Sequence, residues 1–265
     1  MNEIAYAKIN LALHVRRRRD DGYHELETLF AFVDDGDRLE ALPAARDELI
    51  CVGEFASQID DPFGNIVAKA LSILPREQGL RLTLGKWLPV AAGLGGGSAD
   101  AGAVFRIVEH MYGLPDDWHA RAAQLGADVP ACVESRACIG TGTGTALQPV
   151  DNDLAGTPVL LVNPRVPLAT GPVFRAWDGT DRGPLPQGGA RAIALAGRND
   201  LEEPAIGLCQ AIAEVLAALH GTRPLLARMS GSGATCFALY ESQDAMRDAR
   251  ERLDRDWWTM EGKLR

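Results

Sequence analysis

The stretch Pro89-Val-Ala-Ala-Gly-Leu-Gly-Gly-Gly-Ser-Ala-Asp100 constrains this chain more than any other. Four glycines, Gly93, Gly95, Gly96 and Gly97, fall within five residues. Before them Leu80, Leu82 and Leu84 alternate with Arg81, Thr83 and Gly85, the period of a strand. After them Ala101, Val104, Phe105, Val108 and Met111 recur at helical spacing. The segment is therefore strand, glycine loop, helix start. Glycines let successive backbone N–H groups turn inward with no Cβ in the way. The helix start adds N–H groups without intrahelical acceptors and the positive end of a dipole. Together they suit a phosphate anion. A plainer reading, a close-packed strand-to-helix turn, accounts less well for four glycines closing on Ser98. The loop lacks the Lys-Ser/Thr ending of the Walker loop and the spacing of a dinucleotide-binding turn.

The 265 residues suffice for one large or two modest domains. With 27 basic and 36 acidic residues the net charge is −9, a poor prior for nucleic-acid binding, and the run Arg16–Arg19 reads as a solvated strand end. Five scattered cysteines, Cys51, Cys132, Cys138, Cys209 and Cys236, show no metal spacing and fit buried thiols in a reducing compartment. No leader pattern opens the chain and no apolar run approaches about 18 residues. The expectation is a cytoplasmic protein with neither nucleic-acid nor membrane partner.

Ala7, Ile9, Leu11, Leu13 and Val15 alternate with Lys8, Asn10, Ala12 and His14, a strand with one buried face. Lys8 and Asn10 share its other face, as a surface pair or as functional groups. Asp20-Asp21-Gly22 marks a hairpin tip, after which Tyr23 and His24 either begin the next strand or face a ligand. A strand is expected over 28–33 and another near 49–52. Asn65 is a good N-cap for a helix through Leu74, and Lys86 can be a plain surface lysine. A helix over 117–125 ends at Gly126, and Asp128 two residues before Pro130 starts the next. Gly140–Thr145 is a flexible turn into a strand near Leu147. Turn-rich 151–157 marks a domain boundary, giving 1–153 and 154–265. A strand follows over 158–163, then a Gly/Pro-rich loop over 179–189. Asn199-Asp-Leu-Glu202 caps one amphipathic helix through Leu219. A glycine turn at 229–235 feeds a strand, and the chain closes with a helix over 244–253 and a strand near 257–260.

The motif Pro-x-x-x-Gly-Leu-Gly-Gly-Gly-Ser-x-Asp resembles the second motif of the GHMP kinases. Ala7-Lys8-Ile9-Asn10-Leu11 resembles their first motif and Met229–Leu239 their third. Asp-Gly-Tyr-His-Glu-Leu and Leu-Gly-Ala-Asp-Val-Pro are similar to the branch that phosphorylates a cytidyl-diphosphate-linked methylerythritol. The resemblance implies a two-domain α+β fold, an N-terminal ribosomal protein S5 domain 2-like α/β sandwich followed by a C-terminal ferredoxin-like α+β domain. It implies ATP-dependent phosphorylation of the substrate's 2-hydroxyl, in non-mevalonate isoprenoid biosynthesis, by a monomer or weak homodimer. It makes Lys8 and Asp128 catalytic and neighbours in space. It places Asn10, Tyr23, His24, Thr170 and Phe174 on the cytidyl substrate, with Tyr23 and Phe174 stacking on opposite faces of the base. ATP falls to Asn65, Lys86, Pro89, Val90, Ala91, Ala92, Gly93, Leu94, Gly95, Gly96, Gly97, Ser98 and Ala99, and Mg²⁺ to Ser98. The third motif is expected to stiffen the nucleotide loop. Departures are Ala99 where a second Ser is usual, Gly102 within the helix, and the uncharged Gly140–Thr145 loop. The alternatives are a diphosphate decarboxylase of the same fold and a non-catalytic nucleotide-binding module.

Overall fold

The computed structural model describes residues 1–59 and 65–265. Two compact units emerge, neither of them a single run of chain. The first gathers residues 1–8, 35–90 and 95–135, the second residues 9–34, 91–94 and 136–265. Two long strands, β1 (Asn2–Arg18) and β2 (His24–Ala44), pass through both.

In the first unit β3 (Glu48–Val52) runs parallel to β4 (Gly79–Gly85), with Leu49 opposite Leu82 and Cys51 opposite Leu84. The 38–44 stretch of β2 pairs antiparallel with β4 on its other side. Four helices, α1 (Ile66–Ile73), α2 (Gly96–Tyr112), α3 (Trp118–Leu125) and α4 (Val129–Glu134), pack on one another. Asn65 caps α1 as expected, its Oδ1 accepting from Val67 N at 2.8 Å. Gly113, at φ +85°, ends α2. The small side chains of α2 let it sink into the core, so Ala99 to Phe105 are buried on every side. Gly102 is needed for that packing, because a Cβ there would lie 2.5 Å from Cys132 O on α4.

In the second unit β7 (Pro158–Asn163) lies between β10 (Trp258–Lys263) and β9 (Cys236–Leu239), with β8 (Leu226–Met229) beyond β9, all antiparallel. Leu160 and Val162 of β7 join Ile212, Val215 and Leu219 in its core. The 26–30 stretch of β2 pairs with β5 (Cys138–Gly142), which forms a hairpin with β6 (Ala146–Pro149); the turn expected over Gly140–Thr145 is confined to 143–145, because Gly140 and Thr141 pair with Leu147 and Ala146. The helices are α5 (Thr170–Ala176), α6 (Ala190–Ala196), α7 (Glu202–Leu208), α8 (Ala211–Gly221) and α9 (Gln243–Glu251). Where periodicity predicted one helix through Leu219, the chain breaks at Cys209, whose φ of −144° is extended. The break lets Ile212 and Leu216 of α8 join the core on a new axis.

The alternation in β1 predicted one buried face, yet every residue from Ala7 to Val15 is buried. The polar positions can be covered because each is satisfied. His14 donates from Nδ1 to Gly183 O at 3.1 Å and accepts at Nε2 from the Arg198 amide at 3.2 Å. This geometry requires a neutral ring, since a proton on Nε2 would face another N–H. Burial, then the Arg198 charge, lowers the His14 pKa from 6.5. A lowered histidine pKa contributes stability above about pH 6.5, lost as pH falls toward the folded value. The urea midpoint should therefore drop between pH 6.5 and 5, and His14→Gln should flatten that drop. Parallel slopes for the two proteins would reject the assignment.

Candidate active site

The turn that the glycines encode is left-handed at every second residue. Ala91, Gly93 and Gly95 have φ of 52°, 79° and 59°, while Ala92 and Leu94 do not share that region. Alternation of this kind aims successive N–H groups into one concavity, a backbone cradle for an anion. Gly95 is the N-cap of α2 and offers no side-chain cap, so the first N–H groups of a 17-residue helix face outward beside it.

In the first unit Lys8 Nζ lies 3.0 Å from Asp128 Oδ2. Lys8 is buried, whereas the Asp128 side chain keeps 32% exposure, so the carboxylate remains reachable. Asp128 is the N-cap of α4 but makes no capping bond; its carboxylate turns to Lys8 instead. The start of α2 abuts this pair: a Cβ on Gly95 would lie 2.8 Å from Lys8 Cε and 3.7 Å from Asp128 Oδ2. The Ser98 hydroxyl points toward the end of α3, 3.9 Å from where a Cβ on Gly126 would sit. A cation, a carboxylate, a hydroxyl and a helix start thus converge within one unit.

Lys86 takes a place that its sequence does not announce. It is 3% exposed, and its ammonium donates to Asp100 Oδ2 at 2.7 Å and to Asp37 Oδ2. Asp37 Oδ1 accepts from the amides of Trp87 and Leu88 at 2.5 and 2.8 Å. Burial opposes the charge on Lys86, but Asp100 and Asp37 outweigh it and raise its pKa. Burial raises the Asp100 carboxyl to about 8, against the pull of Lys86, and its Oδ1 has no hydrogen-bond partner among the described residues. A Cβ on Gly96 would lie 3.1 Å from Lys86 Nζ, so the cluster lies directly under the first turn of α2. Asp37 and Asp100 escaped sequence reasoning. The one available signal was a carboxylate, Asp100, on the buried stretch of α2.

In the second unit the 230–235 turn holds the first half of the glycine loop. Ser230 Oγ donates to Gly93 O at 2.8 Å, and Thr235 N donates to Ala92 O at 3.1 Å. A Cβ on Gly93 would collide with Ser230 O. Asn10 donates from its amide to Ser230 Oγ at 3.2 Å and from Nδ2 to Thr28 Oγ1 at 2.7 Å. Thr170 Oγ1 and Ser232 Oγ share a hydrogen bond at 3.0 Å.

The aromatic residues of this unit gather around His24. Its ring centroid lies 4.9 Å from Phe174 and 5.8 Å from Trp177. Tyr23, its neighbour on the hairpin, is 65% exposed. His24 Nε2 and Trp177 Nε1 are both buried without a hydrogen-bond partner among the described residues. Burial, then the Arg18 charge, lowers the His24 pKa and keeps the ring neutral near pH 7. Arg18 stacks over Trp177 at 5.7 Å and donates to Trp177 O. Two unmet polar atoms beside apolar rings suit a flat heterocycle carrying donors and acceptors. Trp177 was not singled out in the sequence, where a lone Trp beyond a helix reads as core.

Comparisons with known proteins identify the family. A family model described as GHMP kinases N terminal domain matches residues 65–136, and one described as GHMP kinases C terminal matches 187–258. The chain is 68% identical to the 4-diphosphocytidyl-2-C-methyl-D-erythritol kinase of Novosphingobium aromaticivorans, across all of this chain and 93% of that protein. It is 62% identical to the kinase of the same name from Erythrobacter litoralis, across 100% and 99% of the two chains. A crystal structure of 4-(cytidine 5'-diphospho)-2C-methyl-D-erythritol kinase matches with a TM-score of 0.86 at 36% identity, covering 100% and 99%. Homoserine kinase from Cytophaga hutchinsonii, at 16% identity and a TM-score of 0.71, shares the fold. Full-length identity of this order, with both halves of the kinase fold matched, places the chain in one branch of the GHMP kinases: it belongs to the 4-diphosphocytidyl-2-C-methyl-D-erythritol kinase family.

Proposed function

We propose that this protein transfers the γ-phosphoryl group of ATP to the 2-hydroxyl of 4-diphosphocytidyl-2-C-methyl-D-erythritol, giving the 2-phosphate and ADP, in the non-mevalonate route to isoprenoid precursors. The observation that carries the reading is the Lys8–Asp128 pair at 3.0 Å against the N-terminus of α2. Asp128 accepts the proton of the attacking hydroxyl as its oxygen bonds to phosphorus and the bond to the β-phosphate oxygen breaks. Lys8 offsets negative charge on the transferring group. The backbone from Pro89 to Ala99 holds the ATP phosphates. Adenine is assigned to the neighbourhood of Asn65, while Lys86 supports the first turn of α2 from beneath.

Among the described residues no group of three or more His, Cys, Asp or Glu side chains could hold a metal ion. The Ser98 hydroxyl, a hard oxygen donor at the start of α2, would be the protein's ligand to Mg²⁺ carried by the nucleotide's phosphates. When bound, the ion neutralises phosphate charge. Among the described residues no helix is long and apolar enough to cross a membrane, and we place the protein in the cytoplasm.

Base recognition falls to the second unit, to Tyr23, His24 and Phe174, with Asn10 and Thr170 on the rest of the substrate. The unmet Nε2 of His24 and Nε1 of Trp177 speak against a small acid such as a decarboxylase would take. The deciding experiment is a substrate panel, with ³²P transfer scored for cytidyl, uridyl and non-nucleotide acceptors and CO₂ release measured in parallel. Transfer confined to the cytidyl acceptor supports the proposal; transfer to a non-nucleotide acceptor alone, or CO₂ release, ends it. Phe174→Ala should raise KM for the cytidyl substrate roughly 5- to 100-fold, the range for losing one aromatic stacking partner. KM for ATP should stay unchanged, and equal shifts in both would show that Phe174 is merely structural.

A further inference from the structure

Arg106 lies four residues beyond Gly102 on α2, on the face where α2 and α4 meet backbone to backbone. Its guanidinium spends every edge on two other elements. Nη1 donates to Cys132 O at 2.6 Å, Ser135 Oγ at 3.0 Å and Val133 O at 3.3 Å, the carbonyl end of α4. Nη2 donates to Ile4 O at 2.7 Å, and Nε to Glu3 Oε1 at 2.9 Å, both near the start of β1. The ring of Tyr6, on the same strand, lies 5.4 Å from the guanidinium carbon. β1 carries Lys8, α4 begins at Asp128, and α2 begins at the glycine loop.

We propose that Arg106 is a positioning residue for phosphoryl transfer: by clamping β1 and α4 to α2, it sets the placement of Lys8 and Asp128 at the start of that helix. The proposal rests on the reading of Asp128 as the base. α4 is only six residues long, so a shift at its carbonyl end passes directly to its N-cap. Only a planar fork reaches both elements at once, and a lysine would satisfy one of them. A misplacement of about 1 Å at a reacting group can cost on the order of 10²-fold in rate.

The test is a double-mutant cycle on phosphate transfer, with Arg106→Lys made in the wild-type and Asp128→Asn backgrounds and melting curves for all four proteins. Arg106→Lys should lower kcat about tenfold or more while KM for ATP stays within about twofold. In the Asp128→Asn background it should cost less than about threefold, because no proton acceptor remains to be misplaced. Ser135→Ala, which removes one acceptor of the clamp, should lower kcat in the same background-dependent way by a smaller factor, and it carries the comparison if Arg106→Lys does not fold. Equal losses in both backgrounds, or a lowered melting temperature with kcat untouched, would overturn the proposal. Wild-type turnover by Asp128→Asn alone would instead remove the base reading, and this proposal with it.

Discussion

Asp128→Asn is expected to lower kcat by roughly 10²- to 10⁴-fold, the usual worth of a general base, with KM for ATP within about threefold of wild type. The amide has the carboxylate's shape and can still accept from Lys8 Nζ through Oδ1, so the local geometry has no reason to move. What it loses is the capacity to take a proton from the acceptor hydroxyl. Stability should fall by less than for a fully buried pair: Lys8 is buried, but Asp128 is about one-third exposed and the amide oxygen still accepts from Lys8 Nζ. It also makes no capping bond whose loss would unravel α4. Nucleotide affinity is assigned to backbone N–H groups of the loop and α2, which the substitution does not touch. Steady-state kinetics against both substrates separate the outcomes. Turnover within threefold of wild type would exclude Asp128 as base, and a raised KM for ATP with kcat intact would move it to nucleotide binding.

The strand, loop and helix of the phosphate cradle were legible because the glycines and the change of period from 2 to 3.6 lie in one short window. Asn65 as a cap, Gly126 as a helix end and the final helix and strand were legible for the same local reason. Contacts between distant segments were not. Nothing in the alternation of β1 shows that Lys8, Asn10 and His14 are covered, because their partners come from residues 128, 28, 183 and 198. The split between α7 and α8 has no glycine or proline at Cys209 and Gln210 to announce it. β2 runs on past Val33, where the expected strand ended, through Asp34-Asp35-Gly36-Asp37. It stays a strand because Asp37 finds Lys86 and two amides, and because Gly36 packs where a Cβ would strike Ala5 O. Of the site residues, Lys8 and Asp128 meet as the family resemblance implied, and His24 and Phe174 cluster.

Lys86→Met should act on the fold before it acts on the nucleotide. The substitution keeps the apolar stem and removes the cation that faces Asp37 and Asp100, carboxyl groups 0% and 3% exposed. Asp37 would retain its bonds from the Trp87 and Leu88 amides, but Asp100, whose Oδ1 already lacks a partner, would be left with none from Lys86. Removing one member of a buried ionic cluster costs about 3–5 kcal/mol, which lowers Tm by roughly 6–20 °C in a protein of this size. If Lys86 instead served adenine with its side chain, Lys86→Met would raise KM for ATP and leave Tm within about 2 °C. The double variant Lys86→Met/Asp100→Asn sharpens the distinction. Without the ammonium the buried Asp100, already raised to about 8, must take up a proton on folding; Asp100→Asn removes that cost, so the double variant should melt above the single one although it carries one more substitution. A double variant that melts no higher than Lys86→Met would mean that Asp100 does not feel the loss of the ammonium, and that the cluster is not what fixes the first turn of α2.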